Sequence, residues 1–475
     1  MYKTPSKFAT LLRRLQRRKQ GLRQKKNVST VGAPVADLPS ELWILIIRFA
    51  TLSHPDPIDT THAVSFLDPP HSMQLRLAAY NSTMRQKRTM CLVNHQWHAW
   101  SLEFMYEYVW VSRASHAALL ARTLSSHSSK AYGNWIRRLH VETAMSLDKC
   151  NPAHLRTILD EAPSLAIYSD HRSIRLTVVS VNTPLQDVCT PDDLFQSLPS
   201  NLRRLSWTSY EFSPTPHMPS FSVLEKLTFL ELNFHTSALS SHFFSSSTIG
   251  SIFPQQPLSL PHLQTLKTSL CSNTFSLLAA WHLPKLRNLS LMSLDFSYSS
   301  PSFIEFLQAH GPHLVQLELG HSSSSILEEH YLTPQTAVIM RPNLAALLPN
   351  LQEFICSANA EWNWESPDWI APHVFLPAHP TLKLIGIRDI GRGGDFVLLE
   401  QMRSLLRREA YPCLRYVRDM GKGLGGVRKE VEKDSVTVEF WRTVWQGCRG
   451  REVYLEDWEG VNVTASDWRR LGFKV

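Results

Sequence analysis

Pro284-Lys-Leu-Arg-Asn-Leu-Ser-Leu291 is the stretch that decides the fold of this 475-residue chain. Leu289 and Leu291 flank Ser290, and that alternation is the period of a short strand with one buried face. The phrase returns 28 residues later as Pro312-His-Leu-Val-Gln-Leu-Glu-Leu319. Looser copies begin at Ile136, Leu165, Leu202, Leu227, Leu263, Leu351, Leu382 and Leu414, so ten instances follow one another at intervals of 23 to 37 residues. Seven carry a proline two places before the first apolar residue: Pro163, Pro261, Pro284, Pro312, Pro349, Pro380 and Pro412. A residue without an N–H ends the preceding helix and opens a strand without a loss to the ladder. Helical pieces are expected between the strands, for example over 302–309 and 396–407. Units this small cannot bury their own apolar face, so they must stack.

The phrase resembles the leucine-rich repeat, whose strands line the concave side of a curved solenoid. The intervals are longer and less regular than the ~20–29 residues usual for that repeat. The Asn or Cys expected three places after the last leucine is present only as Cys271 and Asn359, so the array reads as a degenerate form. In such a solenoid the exposed strand positions Arg204, Glu231, Lys267, Glu318, Arg388 and Arg418 form the expected contact surface for a protein substrate. Their mixed signs imply no bulk charge preference. Serine-rich loops at 237–251, 297–302 and 322–325 read as surface. Trp362, Trp364 and Trp369 form one aromatic cluster, and Trp441, Trp445, Trp458 and Trp468 form another near the C-terminus. Both read as packing of a loop or of the last repeat, with binding hot spots as the alternative.

Upstream of the array the chain changes character. Ten Lys and Arg lie between Lys3 and Lys26, and no acidic residue precedes Asp37. Removing those ten from the 49 basic residues leaves 39 against 41 acidic ones, so the net charge of +8 is carried by an N-terminal arm over 1–36. Phe8, Leu11, Leu12 and Leu15 fall at helical spacing within it. The arm reads as a basic tail, a nuclear-import signal or an Arg-rich presequence. A near-neutral body disfavours nucleic-acid binding. Seven scattered cysteines without a C-x-x-C pair point to reduced thiols in the cytoplasm or nucleus. No apolar run approaches the ~20 residues of a membrane-spanning helix.

Asp37-Leu-Pro-Ser-Glu-Leu-Trp-Ile-Leu-Ile-Ile-Arg-Phe-Ala50 follows the arm. Pro39 suits the first helical position and Glu41 the positive end of the helix. Leu42, Ile46 and Phe49 make one stripe, Trp43, Ile47 and Ala50 the next, and Leu45 covers most of the remainder. A helix apolar on every side must be covered on every side. A second helical stretch is expected over 89–108, with Met90, Val93, Trp97, Trp100 and Phe104 on one face.

Leu38-Pro-x-Glu-Leu with Ile46-Ile47, followed by Leu92-Val93-x-x-x-Trp97, resembles the F-box motif, in the style of filamentous basidiomycete fungi. The resemblance implies a helical module over 37–112 that docks on the Skp adaptor of a cullin–RING ubiquitin ligase. Leu38, Pro39, Leu42, Ile46, Ile47, Val93 and Trp97 fall on its matching positions, and Tyr106 with Val109 resembles its closing segment. Two features depart from the family: a proline-rich insert over about 54–84, read as loop, and Asn94 where many members carry Cys. An insert crossing the docking surface would weaken adaptor binding.

No G-x-S-x-G elbow, H-E-x-x-H pair or P-loop occurs. Gly421-Lys-Gly-Leu-Gly-Gly lacks the G-K-[ST] order and reads as a turn. Cys91, His95 and His98 read as one helix face without a fourth metal ligand, so no metal and no cofactor is expected. Asp192-Asp193 reads as a helix start. The expected architecture is α/β: a small helical F-box, then an irregular leucine-rich-repeat solenoid over 113–475. The expected function is non-catalytic: an SCF-type adaptor whose solenoid binds a protein substrate, with a ligase-independent scaffold as the alternative.

Overall fold

The structure is a computed structural model that describes residues 38–52, 56–68, 73–126, 130–143, 149–171, 173, 191–208, 224–233, 258–270, 278–293, 301–319, 344–357, 378–388, 390, 399, 402–403, 405–421, 423–429 and 435–473. The chain falls into two compact units, Met1–Ala50 and Thr51–Val475. The described part of the first is Leu38, Pro39 and helix α1 (Ser40–Thr51), which runs one residue past the boundary. Pro39 lies just outside this helix, not at its first position. Its carbonyl accepts from the Leu42 and Trp43 amides at 3.0 and 3.2 Å, the role of an N-cap.

Beyond the end of α1 the second unit contains the non-helical segment 56–68, then α2 (Met73–Cys91) and α3 (His95–Glu107). Helix α2 corrects the expectation of loop over 54–84. Among the described residues of that insert 56–68 is non-helical, and the helix starts at Met73, where the sequence turns to helix formers such as Met, Gln, Leu, Arg and Ala. The stretch expected over 89–108 is also two helices, broken at Leu92–Asn94. Asn94, the departure from the F-box pattern, caps α3: its Oδ1 accepts from the Trp97 amide at 2.8 Å. Met90 and Phe104 are buried, whereas Val93 projects from the break at 53% exposure. Lys87 of α2 donates to the Phe104 carbonyl of α3 at 2.6 Å, and its buried ammonium sits among the last-turn carbonyls where a cation is favoured.

Among the described residues twelve parallel strands form one sheet in strict chain order, each paired with its neighbours in sequence. They are β1 (Tyr108–Val111), β2 (Arg138–Val141), β3 (Ile167–His171), β4 (Arg204–Thr208), β5 (Phe229–Asn233), β6 (Thr265–Leu270), β7 (Asn288–Ser293), β8 (Gln316–Leu319), β9 (Glu353–Ser357), β10 (Leu384–Arg388), β11 (Tyr416–Asp419) and β12 (Tyr454–Glu456). Strands β2 to β11 each begin two residues after the first apolar residue of one of the ten phrases. This is an α/β leucine-rich-repeat array. Strands β1 and β12 carry no such phrase, and β1 holds Val109, so the sheet starts before the expected boundary at 112/113.

The repeat proline acts differently from the expectation. At six of the seven positions the amide of the first apolar residue donates to the residue before the proline, as Leu286 does to Leu283 at 3.2 Å and Leu314 to Gly311 at 3.0 Å. The proline therefore occupies the second place of a β-turn, where its fixed φ is an asset. The apolar residue is sunk with or without that bond: Ile136, Leu165, Leu202, Leu227, Leu263, Leu286, Leu314, Leu351 and Leu382 are all 0% exposed, and Leu414 is 6% exposed.

Register aligns the repeats into columns. Leu139, Tyr168, Leu205, Leu230, Leu266, Leu289, Leu317, Phe354, Ile385, Val417 and Leu455 are successive partners from β2 to β12, and all belong to one core. Helices on that side complete the core, among them α4 (Ala114–Ser125), α5 (Pro152–Asp160) and α6 (Pro301–His310). Helix α6 matches the helix expected over 302–309. Of the stretch expected helical over 396–407, the described residues 399, 402, 403 and 405 are helical, whereas 406 and 407 have already left the helix. Asp192 and Asp193 open the short helix Pro191–Gln196.

The array ends in α7 (Ser435–Gly450), β12 and α8 (Ala465–Arg470). Trp441 and Trp468 are buried, and Trp445 Nε1 donates to the Val463 carbonyl at 3.0 Å. These tryptophans pack the last repeat. Trp362, Trp364 and Trp369 lie outside the described residues, as do the serine-rich loops apart from 301–302.

Candidate partner-binding surfaces

Two surfaces merit attention, one in each unit. On α1, Leu42, Leu45, Ile46 and Phe49 follow the i, i+3, i+4, i+7 pattern of one helix face. They are 43%, 47%, 43% and 72% exposed, while Ile47 is buried. Leu38 and Pro39, just before the helix, are also exposed. Of the residues matched to the F-box, Leu38, Leu42 and Ile46 therefore share an open apolar stripe and Ile47 does not. In the second unit, Leu92 and Val93 are exposed at the α2–α3 break, and Trp97 is half-buried in the first turn of α3.

The other surface is the sheet face opposite the leucine column. The first residues of the strands make a continuous column there: Tyr108, Arg138, Ile167, Arg204, Phe229, Thr265, Asn288, Gln316, Glu353, Leu384, Tyr416 and Tyr454. The chain's own segment 56–68 lies along this column. Arg138 Nη1 donates to the Pro57 carbonyl at 2.6 Å and Arg204 Nη2 to the His62 carbonyl at 2.7 Å. Thr265 Oγ1 and Asn288 Nδ2 both donate to the Val64 carbonyl, at 3.2 and 2.9 Å. Gln316 Oε1 accepts from the Phe66 amide at 2.9 Å, and its Nε2 donates to Ser65 Oγ at 2.9 Å. Beyond the column, Arg388 Nη2 donates to the Phe66 carbonyl at 2.8 Å. Phe66 and Leu67 are buried in a separate apolar cluster with Ile355, Leu384 and Met420, against which Tyr416 packs.

This arrangement corrects the expectation that Arg204, Glu231, Lys267, Glu318, Arg388 and Arg418 form an open contact surface. The structure gathers them on one face but pairs them. Arg388 and Glu318 form a buried ion pair at 2.7 Å, and Ser290 Oγ donates to the second Glu318 oxygen at 2.6 Å. Lys267 meets Glu231 at 3.0 Å, and Arg418 meets Glu456 at 2.7 Å. Arg204 is committed to the segment. Burial works to raise the Glu231 carboxyl, yet the Lys267 ammonium and His171 hold it down to about 2. These charges satisfy one another.

Further along the same face, burial pushes His140 down to about 3, so in its 2.8 Å contact with Glu142 a neutral imidazole donates Nε2–H to the carboxylate. On the opposite, core-side register at the end of β11, burial lifts Asp419 to about 6, although its two oxygens accept from the Gly421 and Leu424 amides, each at 2.8 Å. The glycine-rich stretch read as a turn is thus in part a short helix, Gly423–Arg428, with Asp419 at its start.

Cys91 and the two histidines do not share a helix: Cys91 ends α2, and His95 and His98 lie on α3. Among the described residues no three His, Cys, Asp or Glu side chains converge as metal ligands. None of the described helices is long and apolar enough to cross a membrane. The polar column escaped the sequence reading although its signal is present. Aligning the ten phrases puts Arg138, Arg204, Thr265, Asn288, Gln316 and Glu353 at one position, and Val64-Ser-Phe-Leu is an apolar island in a proline-rich loop.

No family model matches the chain, and no curated protein matches it. Among solved structures it is similar to the leucine-rich repeat-containing protein LegL7 from Legionella pneumophila, with a TM-score of 0.36 and 12% identity over 76% of this chain and 93% of that one. It is also similar to the complex of Rad7 and Elc1 in yeast, with a TM-score of 0.24 and 13% identity over 74% of this chain and 93% of that one.

Proposed function

We propose that the chain is the substrate-recognition adaptor of a cullin–RING (SCF-type) ubiquitin ligase, with its F-box-like segment docking on a Skp-type adaptor and its repeat array holding a protein substrate. The observation that carries this reading is the open stripe on α1. A twelve-residue helix that leaves Leu42, Leu45, Ile46 and Phe49 in water presents more contiguous apolar surface than a helix end needs. Leu42 and Ile46 of that stripe are positions at which the F-box resemblance puts adaptor contacts. On this reading Leu38, Pro39, Leu42, Ile46, Val93 and Trp97 touch the adaptor, and Ile47 supports the helix from behind. The chain supplies no chemistry. Holding a substrate near a ubiquitin-charged enzyme raises the effective concentration of its lysines, and rate follows from proximity.

Co-purification of the intact chain with a Skp-type adaptor tests this, beside the double variant Leu42→Asp/Ile46→Asp. Both positions are open to solvent, so the charges leave the fold intact while a buried carboxylate in the complex removes binding. Binding by the parent and not by the variant is expected. A folded parent chain that binds no Skp-type adaptor sinks the proposal and leaves a ligase-independent scaffold.

A further inference from the structure

We infer that segment 56–68 is a tethered competitor: the face it covers is a binding site for an extended protein segment bearing an aromatic–aliphatic pair, and a partner gains access by displacing it. This deepens the adaptor reading and rests on it in taking that partner to be the substrate.

The manner of contact carries the inference. A structural loop built into a sheet extends the ladder with backbone pairs, and this segment does not; among the described residues it is held by side chains of the strands. Arg138, Arg204, Thr265, Asn288 and Arg388 donate to its carbonyls at residues 57, 62, 64 and 66, and Gln316 accepts from its amide at 66. Main-chain carbonyls are common to every peptide, so such donors fix direction and register without reading sequence. Sequence is read at one end only. Phe66 and Leu67 are buried among Ile355, Leu384 and Met420, whereas Thr61, His62 and Ala63 are exposed. The occupant thus behaves as a ligand with one apolar anchor and a generic tail. Its hold is limited, because two buried side chains must offset the ordering of thirteen residues.

The site also retains its polarity without the segment. Glu318, Ser290 and Arg388 bond among themselves, as do Lys267 and Glu231, and Gln316 Nε2 donates to Glu353 Oε2 at 2.6 Å. A prepaired polar floor with free donors beside an apolar pocket is organised to accept a second chain.

The test uses a labelled synthetic peptide of residues 56–68 and two full-length proteins: the parent, and a variant with 56–68 replaced by a Gly/Ser linker of equal length. Saturable binding to the variant is expected, lost when the peptide carries Phe66→Ala, and at least ~10-fold weaker to the parent because the tethered copy competes at high effective concentration. A folded variant that does not bind the peptide overturns the inference. Should the variant not fold, hydrogen exchange on the parent decides. The Phe66 amide is expected to exchange at least ~10-fold faster than the amides of β8 and β9, through an opening of the segment alone. Exchange at the same rate as the sheet would make the segment an integral part of the core and overturn the inference too. No Skp-type adaptor enters these measurements, so their failure leaves the adaptor reading standing, and a chain that binds no such adaptor can still pass them.

Discussion

Arg388 and Glu318 show how residue chemistry sets what the sheet face tolerates. Both are buried, and Arg388 divides its donors between Glu318 and the Phe66 carbonyl. Arg388→Met leaves a buried carboxylate with one hydroxyl donor, so urea denaturation should show a loss of about 3–5 kcal/mol. Glu318→Gln combined with Arg388→Met should cost less than the sum of the single changes, because no charge is then stranded; additive losses would argue that the two do not act as a pair. His140 makes a separate prediction about pH. Its folded pKa lies near 3 against an ordinary 6.5, so the unfolded chain binds the extra proton between those values. Its contribution is therefore complete above pH 6.5 and is lost as pH falls toward 3, with a slope of up to about 1.4 kcal/mol per pH unit. His140→Gln should flatten the stability profile in that window, and an unchanged slope would assign the acid sensitivity to other groups.

At the scale of elements, the repeat strands were legible and the helices before them only partly so. Each phrase carries its own turn, anchor and alternation within eight residues, so no distant information is needed to place a strand, and each of the ten strands starts two residues after the first apolar residue of its phrase. Strand β1 has no anchor of this kind. It forms because the Arg137 amide reaches the Glu107 carbonyl at 3.0 Å and β2 supplies a template, which local pattern does not reveal. The α2–α3 break failed for the opposite reason: Met90, Val93, Trp97, Trp100 and Phe104 keep helical spacing straight through it. Asn94 is the residue that decides, since its side chain bonds the backbone in preference to continuing a helix. Asn94→Ala should therefore destabilise the second unit by about 1 kcal/mol in thermal or urea melts, while Asn94→Ser or Asn94→Asp stays within a few tenths. Equal losses from all three would show that the break is fixed by packing and not by the cap. The candidate sites followed the same divide. The α1 stripe could be read from spacing, but the occupied polar face could not, because the residues that meet there are separated by 81 to 322 positions.

At the scale of the molecule, a sheet whose strands touch only their neighbours is a one-dimensional array, and such arrays lose cooperativity with length because each end can open without the other. Segment 56–68 breaks that locality. It bonds to β2, β4, β6, β7, β8 and β10 at once, so opening either end of the array while the middle stays folded costs segment contacts as well as one strand interface. Hydrogen exchange followed through rising urea should then show β2–β4 and β8–β10 opening with similar free energies in the parent chain. Replacing 56–68 by a Gly/Ser linker should separate them, with the less stable end opening at least about 1 kcal/mol below the other. The two ends remaining matched in that variant would mean that the leucine column alone carries the coupling. The size of the separation is bounded from within: the segment cannot couple the two ends by more free energy than it takes to peel the segment itself away. A weakly held segment, as its use as a displaceable competitor requires, can therefore lend the array only modest cooperativity, and a partner that takes its place should restore the coupling in proportion to its own affinity.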